Sequence, residues 1–461
     1  MLSNSSMERI LTAALSHGGD FSEIYIERAK LSSVSLLNGV VENTGSSIDC
    51  GIGIRILEGD KCVYVYSNDI YNEEKLIRMA ENASASLKEV PGGRTVYLTP
   101  VVEYASQPCL ISPSGVAKSE KVLKLRKASE TAKNYSFFIT QTSASCADVE
   151  KEIWIANSDG LNVTDRRCRS RLVIQAIASD GNEKQSGYFG PGSGEGYEFI
   201  EKYDFDEKAK EAAAIATTML SAKPCPSGKM PVVIGNGFGG VIFHEACGHA
   251  LEATAVGIRS SYFTDKKGLA IASPLVTAYD DARIAHEWGS YSVDDEGAPS
   301  TTNLLIKDGI LNSYLIDKIG SRRMGEPSTG CSRRQNYSFA PTSRMSNTFI
   351  AAGTSKKEDI IADTEYGLFA SNMGGGSVDT ATGEFNFAVN EAYIIRNGKI
   401  CEPVKGATLV GKGDEVLMNI DRVGDDLKLA QGVCGSVSGN IPVDVGQPTI
   451  RVSEITVGGQ A

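Results

Sequence analysis

The stretch that most constrains this chain is His244-Glu245-Ala246-Cys247-Gly248-His249, which contains two of only four histidines among 461 residues. Neutral imidazole is the commonest metal ligand in proteins. A carboxylate beside a metal-bound water is the usual general base of metal-assisted hydrolysis. The stretch is therefore typical of a zinc site, although a helix with one buried and one exposed histidine would also contain these residues.

The spacing of the two histidines predicts a local deformation of the helix. The familiar zinc helix has histidines at i and i+4, whereas His244 and His249 are five residues apart. In a regular helix their side chains would point roughly 140° apart. A turn widened by one residue, a π-bulge, would bring them to one side. We expect Gly248 to permit this deformation because it has no Cβ.

Composition and charge limit the classes of function. The chain is 41% hydrophobic and 22% charged, with a formal net charge of −11, which disfavours nucleic-acid binding. No apolar stretch is long enough to span a membrane, and the start shows no leader pattern. The ten cysteines are scattered and form no CxxC pair. We therefore expect reduced thiols in a cytoplasmic protein.

Hydrophobic periodicity predicts an α+β fold with two domains. Helices are expected at 7–16, 71–88, 115–134 and 205–222, and strands at 23–28, 34–37, 51–56, 62–66 and within 136–190. The segment Pro224-Cys225-Pro226-Ser227-Gly228 marks the boundary. We predict an N-terminal α/β domain (1–223) with antiparallel sheets and helices. A β-rich C-terminal domain (224–461) would carry the metal-site helix, expected over 241–254.

A competing motif precedes the site helix. The strand-like residues 230–234 are followed by Gly235-Asn236-Gly237-Phe238-Gly239-Gly240, which fits the G-x-G-x-x-G of dinucleotide-binding folds. Residues 257–268 resemble a loop rather than the second strand that such a fold needs, and no acidic residue ends a strand about 20 residues later. A glycine-rich turn that lets backbones pass closely is the simpler interpretation.

The spacing leaves the third ligand open. A catalytic zinc ion usually has three protein ligands and one open position. The candidates are Cys247, Glu252, His17, His286 and the other cysteines, including Cys434 between glycines. Glu252, one turn after His249, could be a ligand or an acid that supports one.

Five segments resemble the TldD/PmbA family. They are 244–252, Val293-Asp294-Asp295-Glu296-Gly297, 372–379 (Asn-Met-Gly-Gly-Gly-Ser-Val-Asp), 404–411 (Val-Lys-Gly-Ala-Thr-Leu-Val-Gly) and the tail 445–450 (Val-Gly-Gln-Pro-Thr-Ile). The family contains zinc peptidases of the TldD kind and partners of the PmbA (TldE) kind, which lack the metal motif. The complete motif here resembles the catalytic kind.

The resemblance implies the full site and the mode of assembly. It implies His244, His249 and Cys434 as zinc ligands, Glu245 as general base acting on a zinc-bound water, and a barrel-like C-terminal domain. The expected function is hydrolysis of small or unfolded peptides. It also implies a homodimer or a heterodimer with a PmbA/TldE-like paralogue. The alternative is a non-catalytic or regulatory subunit of such a complex.

Overall fold

The computed structural model describes residues 2–87, 93–104 and 108–459. The outer ends of the two predicted domains (residues 1 and 460–461) and residue 88, the predicted end of a helix, lie outside the described residues. No helix in the described ranges is long and apolar enough to cross a membrane.

The described residues of the first half of the chain form one eight-stranded sheet with five α-helices. The strands are β1 (Phe21–Leu37), β2 (Val40–Glu58), β3 (Lys61–Ser67), β4 (Val102–Glu103), β5 (Ile139–Asn157), β6 (Asn162–Ser179), β7 (Lys184–Phe189) and β8 (Gly192–Ser193). The helices are α1 (Asn4–Ala14), α2 (Glu73–Ala85), α3 (Lys118–Lys133), α4 (Tyr197–Glu201) and α5 (Phe205–Ser221).

Most predicted elements of this half are present, with shifted ends. The strands predicted at 23–28 and 34–37 are one continuous strand, β1, because the intervening residues pair on both sides with β2 and β5. The helix predicted at 7–16 begins at Asn4, since Ser3 accepts a hydrogen bond from the amide of Ser6 and caps it.

The side chains of β1 alternate between two faces of the sheet, and both faces are buried in the first part of the strand. Ile24 and Val34 face the hydrophobic cores beneath the helices. Glu23 and Tyr25 lie on the opposite face, and both are buried there. Since side chains alternate along a strand, this second face meets the C-terminal half of the chain.

Buried ion pairs join the two halves. Arg55 of β2 donates to Glu296 at 2.6 Å, and Arg167 of β6 donates to Asp295 at 2.8 Å. Both acids belong to the segment 293–297. Each cation is paired away from water, so the junction depends on keeping both partners.

The second half contains two larger sheets. Its strands are β9 (Lys223–Pro224), β10 (Gly228–Ile234), β11 (Ala278–Asp281), β12 (Thr302–Lys307), β13 (Ile310–Leu311), β14 (Ser332–Arg333), β15 (Thr342–Ser343), β16 (Asn347–Ile350), β17 (Tyr366–Val378), β18 (Glu384–Arg396), β19 (Lys399–Lys405), β20 (Thr408–Lys412), β21 (Ile420–Val423), β22 (Lys428–Ser436), β23 (Gly439–Gln447) and β24 (Ile450–Gly458). Its helices are α6 (Val241–Phe243), α7 (Ala253–Val256), α8 (Lys318–Met324), α9 (Lys357–Ala362) and α10 (Gly413–Met418).

Five of these strands close a barrel. They pair in the order β17, β10, β24, β20 and β18, and β18 returns to pair with β17. A second sheet has the order β13-β12-β11-β16-β23-β22, with β22 at its edge. The predicted α+β class with a barrel-like C-terminal part is confirmed, whereas the domain division at 223/224 stays a prediction.

The helix predicted over 241–254 is not continuous. After α6 the chain forms a π-turn at His244–Gly248 and a 3-10 turn at His249–Leu251, and Glu252 is extended before α7 begins. The preceding glycines do not form a dinucleotide-binding unit, because β11, the next strand after the site segment, lies in the other sheet. A Cβ at Gly240 would lie 2.5 Å from the backbone of Gly446, so this glycine serves close backbone approach.

Candidate metal centre

The two histidines lie on one side of the π-turn. The amide of His249 donates to the carbonyl of His244, five residues earlier, so the turn is wider than an α-helical turn. The two imidazole centroids are 5.0 Å apart, with an angle of 84° between the rings. The predicted widening is confirmed, and it brings together side chains that a regular helix would separate.

Contrary to our prediction, Gly248 does not act through backbone flexibility. Its φ of −53° and ψ of −52° are ordinary right-handed helical values, so the deformation does not require glycine conformationally. A Cβ at this position would instead lie 2.1 Å from Sδ of Met345. Any side chain at this position would have to displace that of Met345, which packs directly against the turn.

Cys434 reaches the histidines from the edge strand β22. Its Sγ lies 3.3 Å from Nε2 of His244 and 3.1 Å from Nε2 of His249. The three donor atoms lie within 4.8 Å of one another, and the described part of the chain has no other such group of histidine, cysteine and acidic side chains. Val433 points the other way and is 55% exposed, as strand alternation requires.

The donor set fits a tetrahedral zinc ion. Zinc–nitrogen distances of about 2.0–2.1 Å and a zinc–sulfur distance of about 2.3 Å place nitrogen and sulfur roughly 3.6 Å apart. The observed separations of 3.3 and 3.1 Å are slightly shorter, a difference that small side-chain rotations would remove. Two imidazoles and a thiol also leave one tetrahedral position for water or substrate.

Two carboxylates flank the cluster. Oε2 of Glu252 lies 3.2 Å from Nδ1 of His249, where it can hold the Nδ1–H and leave Nε2 available to a metal. Oε2 of Glu245 lies 3.8 Å from Nε2 of His249, and its side chain is 23% exposed. Glu252 therefore supports a histidine, whereas Glu245 borders the donor atoms and keeps contact with solvent.

The surroundings shift the pKa values in different directions. Burial lowers the pKa of His244 well below its usual value, and the charges of His249 and Arg344 add to this. Burial would also lower the pKa of His249, but Glu252 and Cys434 outweigh it and raise that pKa. Burial raises the pKa of Glu245, and Glu252 adds to the rise. A raised carboxyl pKa suits a proton acceptor that works near neutral pH.

The other candidates for the third ligand lie outside the donor cluster. Cys247 is fully buried in the hydrophobic core, where burial raises the pKa of its thiol. Nδ1 of His17 is hydrogen-bonded to Ser16 at 2.9 Å, in an exposed position. His286 has a left-handed φ of 64° in an exposed loop.

Three residues that the sequence did not mark shape the site. Arg344 donates to the carbonyl of Cys434 at 2.6 Å, and Trp288 donates to the carbonyl of Gly432 at 3.0 Å. Met345 packs against the π-turn. The local sequence around these three residues does not predict their contacts, because the contacts form only when segments distant in sequence come together.

Sequence profiles of one metallopeptidase family match the chain in three consecutive parts. They are described as PmbA/TldA metallopeptidase domain 1 at residues 22–87, central domain at 111–220 and C-terminal domain at 227–459. Together these matches cover most of the chain.

Curated relatives extend the similarity over the full length. The metalloprotease TldD homolog of Haemophilus influenzae is 39% identical over 454 residues, which cover 95% of this chain and 93% of the relative. A metalloprotease of Methanocaldococcus jannaschii is 32% identical over 458 residues, covering 98% and 99%. The chain therefore belongs to the TldD/PmbA family of metallopeptidases.

Solved structures share the fold. TldE from Thermococcus kodakarensis superposes with a TM-score of 0.78 at 19% identity, covering 98% of this chain and 100% of that one. A Thermotoga maritima protein named as a candidate modulator of a DNA gyrase gives a TM-score of 0.80 at 22% identity, covering 98% and 99%. At these identities the likeness concerns the fold alone.

Proposed function

We propose that this chain is a zinc-dependent peptidase in which His244, His249 and Cys434 hold the metal and Glu245 is the general base. The observation that carries the proposal is the convergence of three donor atoms within 4.8 Å of one another, beside a carboxylate. A relative from Saccharolobus solfataricus, 27% identical over 57% of this chain, is named a zinc metalloprotease and supports the choice of metal.

The mechanism follows from the positions of the acids. When bound, zinc would supply a Lewis acid that polarises the scissile carbonyl and lowers the pKa of a coordinated water. The Glu245 carboxylate accepts the proton of the attacking water and delivers it to the leaving amine. Glu252 keeps His249 in the tautomer with a free Nε2. With zinc bound, Cys434 would contribute a thiolate and lower the net charge of the site to about +1, which would make the metal a milder Lewis acid than in a three-histidine site.

The proposed substrate is an extended peptide that binds beside β22. A cleft of about 510 Å³ runs beside β22 on the side of Val433, away from the Cys434 thiol, and has walls from both halves of the chain, among them Tyr188, Phe238 and Met373. Because β22 pairs with β23 alone among the described strands, we propose that its other edge binds the backbone of a small or unfolded peptide as an added strand.

Assembly and compartment are proposed on separate grounds. The family resemblance favours a dimer, either with a second copy or with a paralogue like the TldE of Thermococcus kodakarensis. All ten cysteines are free thiols, which favours a reducing cytoplasm.

A single substitution tests the catalytic assignment. Glu245→Ala changes none of the three donors, so we expect it to keep zinc and the fold. It should lower the rate of peptide hydrolysis by roughly 10² to 10⁴, the usual contribution of a general base. Zinc content per chain and peptidase rate are measured on the same preparation.

Two further variants complete the test. Glu415→Ala removes an exposed acid of α10 and should leave the rate unchanged. His244→Ala should lose zinc while the chain stays folded. Normal hydrolysis by Glu245→Ala would show that Glu245 is only a favourable acid on the first turn, and zinc retention by His244→Ala would overturn the ligand assignment.

A further inference from the structure

One fully buried arginine contacts both ligand-bearing segments. The Arg344 guanidinium donates to three acceptors in the hairpin of β22 and β23. These are the carbonyl of Cys434 at 2.6 Å, Oγ of Ser438 at 2.9 Å and the carbonyl of Gly439 at 3.0 Å. Three bonds from one planar group fix the hairpin end that carries the thiol.

The same side chain faces the histidine segment. Nε of Arg344 lies 3.9 Å from Oε1 of Glu252, an ion-pair distance rather than a hydrogen bond, and neither atom has a hydrogen-bond partner among the described residues. The second oxygen of Glu252 is the one that contacts Nδ1 of His249. Arg344 is therefore hydrogen-bonded to the Cys434 backbone and forms an ion pair with Glu252, which in turn contacts His249.

Arg344 connects two segments that the strand pairing does not hold together. Cys434 lies on an edge strand that, within the described ranges, is paired on one side only, and the histidines lie on a separate deformed turn. Burying a guanidinium is costly unless its surroundings compensate the charge. Here the compensating groups are the backbone of the thiol ligand and the carboxylate that orients a histidine.

We propose that Arg344 is a positioning residue that pre-assembles the thiol and imidazole ligands by binding the β22–β23 hairpin and Glu252 at once. The proposal rests on the proposed function for the identity of the ligands. It assigns to Arg344 no contact with substrate or metal.

Arg333 offers a matched control. It is also buried, and it donates to the carbonyls of Met345 and Pro442, both at 2.7 Å, so it too anchors β23. It has no described bond to Cys434 or Glu252. Arg344→Lys and Arg333→Lys both keep a buried cation but lose the planar fork. A merely structural role predicts the same consequence for both.

The test measures zinc affinity by competition with a chromophoric chelator, together with thermal unfolding of the metal-free chains. We expect Arg344→Lys to weaken zinc binding by about 10- to 100-fold, the usual effect of losing a partner behind the ligands. Arg333→Lys should bind zinc like the wild type, even where it lowers the unfolding temperature equally. Absorption of the Co²⁺-loaded Arg344→Lys chain should show a weakened thiolate-to-cobalt band.

A second variant covers the case in which Arg344→Lys does not fold. Ser438→Ala removes one acceptor of Arg344 and touches no ligand, so zinc affinity should fall in the same direction but by less. Unchanged affinity in whichever of the two variants folds would overturn the role of Arg344 alone. A wild-type chain that binds no zinc would overturn the proposed function instead.

Discussion

At the scale of single residues, the candidate centre depends on which of ten thiols faces the histidines. Strand alternation in β22 turns Cys434 inward and Val433 outward, so a register shift of one residue would remove the thiol from the site. Local sequence did not distinguish Cys434 from the other cysteines, and only the family resemblance selected it.

Replacing Cys434 with serine tests this assignment. A hydroxyl is a far poorer zinc ligand than a thiolate, so zinc affinity should fall by more than the roughly 10- to 100-fold typical of losing a supporting partner. Cys225→Ser, at another buried cysteine that is not part of the donor cluster, should bind zinc like the parent. Equal affinities in chelator competition would move the third ligand to Glu252 or Cys247.

At the scale of the element, the π-turn is stabilised by packing rather than by helix propensity. The turn is preceded by α6, of three residues, and followed by a 3-10 turn, so little regular helix holds it. Gly248 lies against Met345, which follows the positioning arginine directly in sequence. The shape of the π-turn is therefore linked to the segment 344–345, which also holds the β22–β23 hairpin that carries Cys434.

A double-mutant cycle measures this contact. Gly248→Ala places a methyl group 2.1 Å from Sδ of Met345, and we expect a loss of about 1–3 kcal/mol in the free energy of unfolding. Met345→Ala leaves a cavity and should cost about 2–5 kcal/mol. In the double variant the methyl group occupies part of that cavity, so the loss should be smaller than the sum. Additive losses in urea denaturation would exclude the contact as the reason for the glycine.

At the scale of the whole molecule, the segment 293–297 joins the two halves through buried charges. Asp295 accepts from Arg167 of the first half at 2.8 Å and from the amide of Arg334 at 2.7 Å. Burial alone would raise the pKa of Asp295, but the two arginines outweigh it and hold that pKa below its usual range. A nearby acid, Asp317, has the opposite shift, since burial and Glu296 raise its pKa to about 6.

These two aspartates should respond oppositely to pH. Asp295 has a lowered folded pKa, so it stabilises the fold above about pH 4, its usual pKa, and loses this effect as pH falls through the folded value. Asp295→Asn should cost about 3–5 kcal/mol at pH 7, because it breaks a buried pair. The difference from wild type should shrink in acid.

Asp317→Asn is the matched comparison. A raised folded pKa means that ionised Asp317 costs stability as pH rises from about 4 through 6. Asparagine can still accept from the amide of Gly320 at the start of α8. This variant should be no less stable than wild type at pH 7. Two results, measured as urea midpoints, would contradict the assigned shifts: similar losses in both variants at pH 7, or a loss in Asp295→Asn that does not shrink below about pH 4.

The sequence by itself determined the features that depend on neighbours a few residues apart. Periodicity predicted α5 to within one residue of its ends and α3 to within three. The five-residue spacing of His244 and His249 predicted the π-turn, because side-chain direction in a helix follows from the rise and rotation of each residue.

Only the tertiary structure decided what depends on distant segments. It merged two predicted strands into β1, broke the helix predicted over 241–254, and placed Arg344 between the segments that carry the proposed ligands. Cys434 meets His244 across 190 residues of chain. The physical reason is that local propensities amount to fractions of a kcal/mol per residue, whereas barrel closure, strand register and buried ion pairs are set by packing of the whole chain.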